Sequence, residues 1–178
     1  GASADGSTMV SYAADSHVRY GELYRKPAAD WTGGTMVTLY DRGTAKPLGQ
    51  IPQVSHTYQV IGFMNEYQVA IGETTFGGRP ELFDSMGVVD YGSLMFLALQ
   101  RAKTAREAIK VIAELMDQYG YASTGESFSI GDPNEVWIME LIGKGTDMQL
   151  QRKTKHLVNV NKGAVWVAIR VPDGFISS

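Results

Sequence analysis

The 178-residue sequence contains no cysteine. This absence excludes disulfide bonds, thiolate metal ligands and a cysteine nucleophile within these residues. A large charge surplus is also missing, because 16 Lys and Arg stand against 19 Asp and Glu. A basic surface for nucleic acid and a polybasic segment for an anionic membrane are therefore not expected. The apolar runs fall well short of the ~18 residues of a membrane-spanning helix, so neither nucleic acid nor membrane is predicted as a partner.

Proline is scarce, whereas glycine and tyrosine are frequent. Six prolines, 20 glycines and nine tyrosines favour a turn-rich, mainly β architecture. The length predicts a single domain over residues 1–178. No basic segment followed by an apolar one opens the sequence, so no signal peptide is recognised. The compartment stays open between the cytoplasm and export with the signal removed.

Strand and helix patterns divide the chain into three parts. Alternating or β-rich segments before and after the middle predict strands over 9–13, 18–23, 36–40, 56–65, 68–73, 127–130, 135–142, 148–152, 157–160 and 164–171. Two helices lie between them, one over 91–103 and one with Thr104 as N-cap, Glu107 completing a capping box, and Gly120 as the stop. Strands, two helices and more strands predict an α+β fold with helices covering a mostly antiparallel sheet.

Single residues give only weak indications of chemistry. His17, His56 and His156 are far apart in the sequence, so no metal site and no cofactor is predicted. The carboxylates Glu66, Glu73 and Glu140 lie at or near predicted strands. Glu140 interrupts an apolar strand, where a charge needs either a partner or a water-lined cleft. A structural ion pair and a functional acid remain equally good interpretations of that residue.

Several segments in a fixed order carry more information than any one residue. They are ASADGS at 2–7, YAADS at 12–16, GFMNE at 62–66, GETTFGGR at 72–79, GESFSIGDPNEVW at 125–137 and AVWVAIRVPD at 164–173. Together they resemble the dipeptidase family of N-terminal-nucleophile (Ntn) cysteine hydrolases, which is related to choloylglycine hydrolase and penicillin V acylase. The resemblance covers essentially the whole chain. It implies an αββα sandwich, incomplete in this chain, and hydrolysis of the amide bond of a dipeptide or another small amide.

In the family that the sequence resembles, an N-terminal cysteine thiol attacks the amide and its own α-amine acts as base. An α-amine suits that task because its pKa lies near 8. The resemblance places Asp15 as the carboxylate beside this amine and Asn65 as an oxyanion-hole contributor. The family's arginine position corresponds to Tyr12 in this sequence, so no guanidinium is expected at that position.

The same resemblance makes Glu66, Glu73 and Arg79 candidates for the substrate cleft. From charge complementarity we expect Arg79 to receive the carboxylate of a dipeptide and Glu73 to receive its ammonium group. Glu66 follows Asn65 directly in the matching segment.

The departures from the family pattern concern the nucleophile. Gly1 has no nucleophilic side chain and the chain has no cysteine. We therefore expect a central segment of a cysteine dipeptidase that is inactive as given and that forms homo-oligomers or associates with the rest of its chain. The alternative is a non-catalytic binding or structural domain on the same scaffold. A third, weaker interpretation is a carboxylate-based hydrolase that uses Glu66, Glu73 or Glu140.

Overall fold

A mostly antiparallel sheet with two helices on one face confirms the α+β prediction. The computed structural model describes residues 3–13, 23–175 and 177. The strands and helices are β1 (Arg25–Lys26), β2 (Ala29–Asp30), β3 (Met36–Tyr40), β4 (Pro47–Pro52), β5 (His56–Thr57), β6 (Val60–Ile61), β7 (Met64–Asn65), β8 (Ala70–Phe76), α1 (Tyr91–Leu99), α2 (Ala105–Tyr119), β9 (Gly125–Gly131), β10 (Val136–Gly143), β11 (Met148–Leu150), β12 (Leu157–Asn159) and β13 (Ala164–Arg170). A 3₁₀ turn spans Pro80–Leu82.

Within the described ranges, the main sheet has seven strands in the order β1-β6-β7-β8-β9-β10-β13. β2 with β5, β3 with β4 and β11 with β12 form separate two-stranded pairs. β9 pairs with β8 and β10 along its whole length, whereas β7 meets β8 only where Met64 lies opposite Ala70. Most of the β8 edge that faces away from β9 is therefore open to other parts of the chain.

The two faces of the main sheet differ in burial. Phe128 lies opposite Met139 and both are fully buried in the core beneath the helices. Side chains alternate between faces along a strand, so the neighbouring positions belong to the outer face. There Val165, Val167 and Ile169 on β13 are 61%, 50% and 64% exposed. The core thus lies on the helix side, and the outer face presents an apolar surface.

The helices follow their capping residues. Thr104 accepts a hydrogen bond from the Glu107 amide at 3.2 Å, which confirms the predicted start of α2. α1 ends at Leu99, so the prediction of a helix up to residue 103 was wrong. The carbonyls of Leu99 and Ala102, which a longer helix would use for its own hydrogen bonds, accept instead from the Asn65 side chain. No helix in the described part of the chain is long and apolar enough to cross a bilayer.

Two strand predictions near the N-terminal side were wrong. Residues 9–13 form no strand, and 56–65 breaks into the short elements β5, β6 and β7. The break between β6 and β7 has a local cause, because Gly62 adopts a φ of 56° that ends the extended run. Of the segment 18–23, residues 18–22 lie outside the described residues.

Gly87 allows two backbone segments to approach each other beside the site described below. A Cβ at this position would lie 2.7 Å from the Ala122 nitrogen and 2.8 Å from the Tyr121 carbonyl carbon. Gly87→Ala should therefore lower the free energy of unfolding by about 1–3 kcal/mol, the usual cost of overpacking. Chemical denaturation measures it. Gly77→Ala is the control, since nothing lies within 4 Å of a Cβ there; equal losses in both variants would contradict this prediction.

Candidate functional site

The N-terminal segment 8–13 crosses the outer face of the main sheet at its glycines. A Cβ on Gly72 would touch the Val10 and Tyr12 side chains, and one on Gly131 would touch Val10. The Thr8 hydroxyl donates to the Asp132 carbonyl. The missing side chains of Gly72 and Gly131 thus admit this segment, which carries the Tyr12 ring to the open edge of β8.

Tyr12 connects this segment to a carboxylate on β8. Its hydroxyl donates to Glu73 Oε1 at 2.5 Å. Its ring packs edge-on against Phe63, with the ring centroids 5.0 Å apart. The Arg42 guanidinium lies over the other ring of this pair, 5.6 Å from the Phe63 centroid. Tyr12, Phe63 and Arg42 therefore form one packed group beside Glu73.

A second carboxylate, Glu126, lies next to Glu73 on the neighbouring strand. Thr75 pairs with Glu126 across β8 and β9, and Glu73 is two residues away on the same face. The Thr75 hydroxyl is 3.1 Å from Glu126 Oε2 and 3.4 Å from Glu73 Oε2. Glu126 is fully buried, whereas Glu73 is partly exposed and Thr75 is exposed. The site is a pair of acids with one of them at the surface.

The environment favours a proton on this pair. Burial, followed by the hydrogen bond and charge of Glu73, raises the pKa of Glu126 to about 8, against the opposing effect of Thr75 and the Ser127 amide. Burial and the bond to Glu73 also raise the pKa of the Tyr12 hydroxyl well above its usual range. Tyr12 is therefore a neutral donor at physiological pH, and the two carboxylates are not both ionised at neutral pH.

Groups from the helix side complete the surroundings. Tyr121 is fully buried, and burial, with Glu126, Asp90 and Tyr91 adding to it, raises the pKa of its hydroxyl well above the usual range. Asp90 caps α1 through a 2.8 Å bond from the Ser93 amide and accepts a 2.7 Å bond from the Arg42 amide. The acidic pair is thus set between the N-terminus of α1 and the open edge of β8.

Asn65 is buried, and both the nitrogen and the oxygen of its side-chain amide form hydrogen bonds with backbone groups. Its Nδ2 donates to the Leu99 carbonyl at 2.8 Å and to the Ala102 carbonyl at 2.7 Å. Its Oδ1 accepts from the amides of Tyr67 and Val69, both at 3.0 Å. An oxyanion would have to displace one of the two carbonyls. The catalytic role of Asn65 stays a prediction, and the geometry gives this residue a structural role.

Glu66 and Arg79 take no part in the hydrogen bonds of the acidic pair. Glu66 Oε1 accepts from the Gln59 amide at 2.8 Å. Arg79 is exposed and forms an ion pair with Glu81, at 2.7 Å. Asp15 lies outside the described residues. The roles of Glu66, Arg79 and Asp15 therefore stay predictions, and Glu73 is the predicted residue that lies in the cluster.

Glu140 lies on the outer face, since its register partner is Val167 on β13. It is exposed between the partly buried Ile138 and Ile142. Glu140 shares a face of β10 with these two isoleucines, as the alternation predicts. That face points away from the helices. Glu140 therefore needs no buried partner.

Sequence reasoning missed Glu126, although a signal for it exists. Extending the predicted strand 127–130 by one residue puts Glu126 on the same face as Phe128 and Ile130, and both of these are fully buried. A glutamate that alternates with two core residues indicates a buried acid. Its nearness to Glu73 has no such signal, because the pairing of β8 with β9 joins residues about 50 positions apart.

The described residues contain no group of three or more His, Asp or Glu arranged to hold a metal ion. A cleft of about 220 Å³ lies beside the crossing segment. It is lined by Thr8, Met9, Val10, Met64, Gln68, Ala70 and Gly131. The space is thus next to the segment that carries Tyr12 and is enclosed mainly by apolar or small side chains.

Comparison with known proteins gives consistent relatives. A "Dipeptidase" of Bifidobacterium longum (strain NCC 2705) is 31% identical over 98 residues, which cover 54% of this chain and 14% of that protein. A "Probable dipeptidase" of Latilactobacillus sakei is 26% identical over 191 residues, which cover 97% of this chain and 35% of that protein. The chain thus spans about a third or less of these relatives. The model of peptidase family C69 matches residues 33–178, and the chain belongs to this family.

Proposed function

We propose that this chain is a segment of a dipeptidase of the N-terminal-nucleophile cysteine type. In this proposal, the thiol and the α-amine that attack the peptide bond are supplied from outside these residues, since the chain contains no cysteine. Asp15 is proposed to hold the amine, and Asn65 to contribute to the oxyanion hole. Alone, the chain would bind substrate groups without turning them over.

The observation that carries this proposal is the hydrogen bond from Tyr12 to Glu73. It joins the segment that leads to Asp15 with a strand of the main sheet, at the family's arginine position. Membership of a peptidase family and the dipeptidase names of two relatives support the same activity. In the proposed complex, Glu73 receives the ammonium group of the dipeptide and Arg79 its carboxylate.

We also propose that a further layer covers the outer face of the main sheet, as an αββα sandwich requires. The exposure of Val165, Val167 and Ile169 supports this, because contiguous exposed apolar surface is typical of protein contacts. The covering layer would come from the rest of the same protein or from a second copy of the chain.

The test of the activity compares two purified proteins, this chain and the product of the complete reading frame. We expect the complete product to carry an N-terminal cysteine after processing and to hydrolyse Ala-Ala. Its Cys→Ala variant should be at least about 10³-fold slower, since removal of a nucleophile abolishes the covalent route. This chain alone should show no turnover above the Cys→Ala level.

Two outcomes would contradict the proposal. Turnover of Ala-Ala by this chain, abolished by Glu73→Gln, would favour the carboxylate-based hydrolase. A complete product without a cysteine, which binds Ala-Ala and does not hydrolyse it, would favour the non-catalytic binding domain. Liquid chromatography of the released alanine distinguishes both from the expected result.

A further inference from the structure

Apart from the proton that the pair itself holds at neutral pH, the acidic pair has fewer hydrogens than its oxygens can accept. Glu73 Oε1 has the Tyr12 hydroxyl. Thr75 has one hydroxyl hydrogen and lies within reach of Oε2 of both Glu73 and Glu126. Oε1 of Glu126 accepts from no donor in the described residues, although the side chain is fully buried. A buried oxygen without a donor is costly, so this arrangement favours an additional donor.

Among the described residues, none of the groups that act most strongly on Glu126 is a cation. These groups are the Glu73 carboxylate, the Thr75 hydroxyl and the Ser127 amide. The charge of Glu126 in turn raises the pKa of Tyr121, which lies in the segment after α2. On the other side, Tyr12 of the N-terminal segment donates a hydrogen bond to Glu73. The charges of Arg42 and Tyr91 act on the pKa of the Tyr12 hydroxyl. Asp90 adds a further negative charge near Tyr121. A cation that enters between Glu73 and Glu126 would meet two acids at close range.

We infer that Glu73, Thr75 and Glu126 form a receptor for one primary ammonium group, and that in the peptidase this group is the free α-amino terminus of the substrate. An ammonium has three N–H donors, and the acceptors available to it are the carboxylate oxygens of Glu73 and Glu126 and the lone pairs of the Thr75 hydroxyl. Thr75 is exposed and Glu73 is partly exposed, so both are reached from the surface, whereas the buried Oε1 of Glu126 is reached only when the two carboxylates separate. The ammonium receptor is therefore more than the single carboxylate of Glu73, and its assignment to a substrate rests on the proposed function.

Binding of the ammonium involves a proton balance. With the receptor empty at neutral pH, one proton is held by the acidic pair, since the pKa of Glu126 is raised to about 8. An arriving ammonium satisfies the same oxygens and stabilises both carboxylates in their ionised form. The shared proton then leaves to solvent, so one proton is released for each ammonium bound. No covalent bond forms or breaks.

The experiment measures binding and proton release on this chain. Calorimetric titrations with Ala-Ala and N-acetyl-Ala-Ala at pH 7, in phosphate and in MOPS, which has no primary amine, give affinities and the number of protons released. We expect Ala-Ala to bind at least tenfold more tightly than the acetylated peptide and to release close to one proton. N-acetyl-Lys tests an ε-ammonium on the same receptor; binding as tight as that of Ala-Ala would overturn the assignment to the α-amino terminus.

Variants distinguish the pair from a single carboxylate. Glu126→Gln removes the shared proton and should reduce proton release to near zero, with affinity for Ala-Ala about tenfold lower. Thr75→Val tests the receptor without altering a charge. It should weaken the binding of Ala-Ala and leave the binding of N-acetyl-Ala-Ala unchanged. Glu114→Gln is the control, because Glu114 is an exposed glutamate on α2 paired with Lys110. Unchanged proton release in Glu126→Gln, or equal affinity of the wild type for free and acetylated peptide, would overturn the inference.

The inference and the proposed function can fail separately. If the complete product hydrolyses free and acetylated dipeptides equally well, the peptidase stands and the ammonium receptor does not. If the complete product hydrolyses neither peptide but this chain binds Ala-Ala with release of a proton, the receptor stands and the peptidase does not. Circular dichroism of each variant shows whether it folds.

Discussion

Asn65→Ala should lower the free energy of unfolding by about 4 kcal/mol. The substitution leaves the carbonyls of Leu99 and Ala102 and the amides of Tyr67 and Val69 without their side-chain partners. Each buried polar group that loses its partner costs about 1–3 kcal/mol, partly offset where water enters. The loss is large because one side chain joins the end of α1 to the turn before β8.

Thermal unfolding followed by circular dichroism measures this effect. For a domain of this size, 1 kcal/mol shifts the melting temperature by roughly 2–4 °C, so a fall of about 10 °C is expected. Gln118→Ala is the matched control, since it removes an exposed side-chain amide from α2. A melting temperature within 2 °C of the wild type would contradict the structural role. In the complete product, a loss of kcat in Asn65→Ala without a loss of stability would instead favour the oxyanion role.

Glu126→Gln should stabilise the chain at pH 8 and have little effect at pH 5. Burial and the neighbouring Glu73 raise the pKa of Glu126 to about 8 in the folded chain, while an unfolded glutamate titrates near 4.3. Between these values, the folded state binds more protons than the unfolded state. The free energy of unfolding of the wild type therefore falls as the pH rises through this window.

The magnitude follows from the value of one pKa unit, about 1.4 kcal/mol. Because the shift is shared between two coupled carboxylates, the free energy of unfolding of the wild type should fall by an amount on the order of 3 kcal/mol from pH 5 to pH 8. Urea denaturation at several pH values measures it in the wild type and in Glu126→Gln. Glu114→Gln, on the exposed face of α2, reports the pH dependence of the remaining groups. Parallel curves for the wild type and Glu126→Gln would contradict the buried, protonated acid.

Local signals in the sequence predicted the parts of the fold that depend on local interactions. The capping box at Thr104 and the stop at Gly120 give α2 its bounds, because caps act within one helical turn. The long strands β10 and β13 lie within a residue of their predicted spans. Both are dense in β-branched and aromatic residues, which suit a pleated sheet in any tertiary context.

Long-range contacts account for the parts that the sequence did not predict. The segment 9–13 has strand-like alternation, yet it crosses the outer face over Gly72 and Gly131 and pairs with no strand. The end of α1 depends on Asn65, which lies 34 residues before Leu99. Neither contact is visible in a window of neighbouring residues.

The candidate site shows the same division. Glu73 was predicted from a family segment, whereas Glu126 was missed because its strand was predicted to begin at residue 127. The pairing of Thr75 with Glu126 brings the two acids together. A sequence pattern reveals that a residue is buried, but the partner that shifts its pKa is set by the register of two distant strands.

The exposed apolar face of β10 and β13 has a thermodynamic consequence. In the isolated chain, Val165, Val167 and Ile169 are already largely hydrated before unfolding begins. The heat capacity change of unfolding scales with the apolar surface that becomes newly hydrated. The isolated chain should therefore have a smaller heat capacity change, and a flatter stability curve with temperature, than a fully enclosed domain of 178 residues.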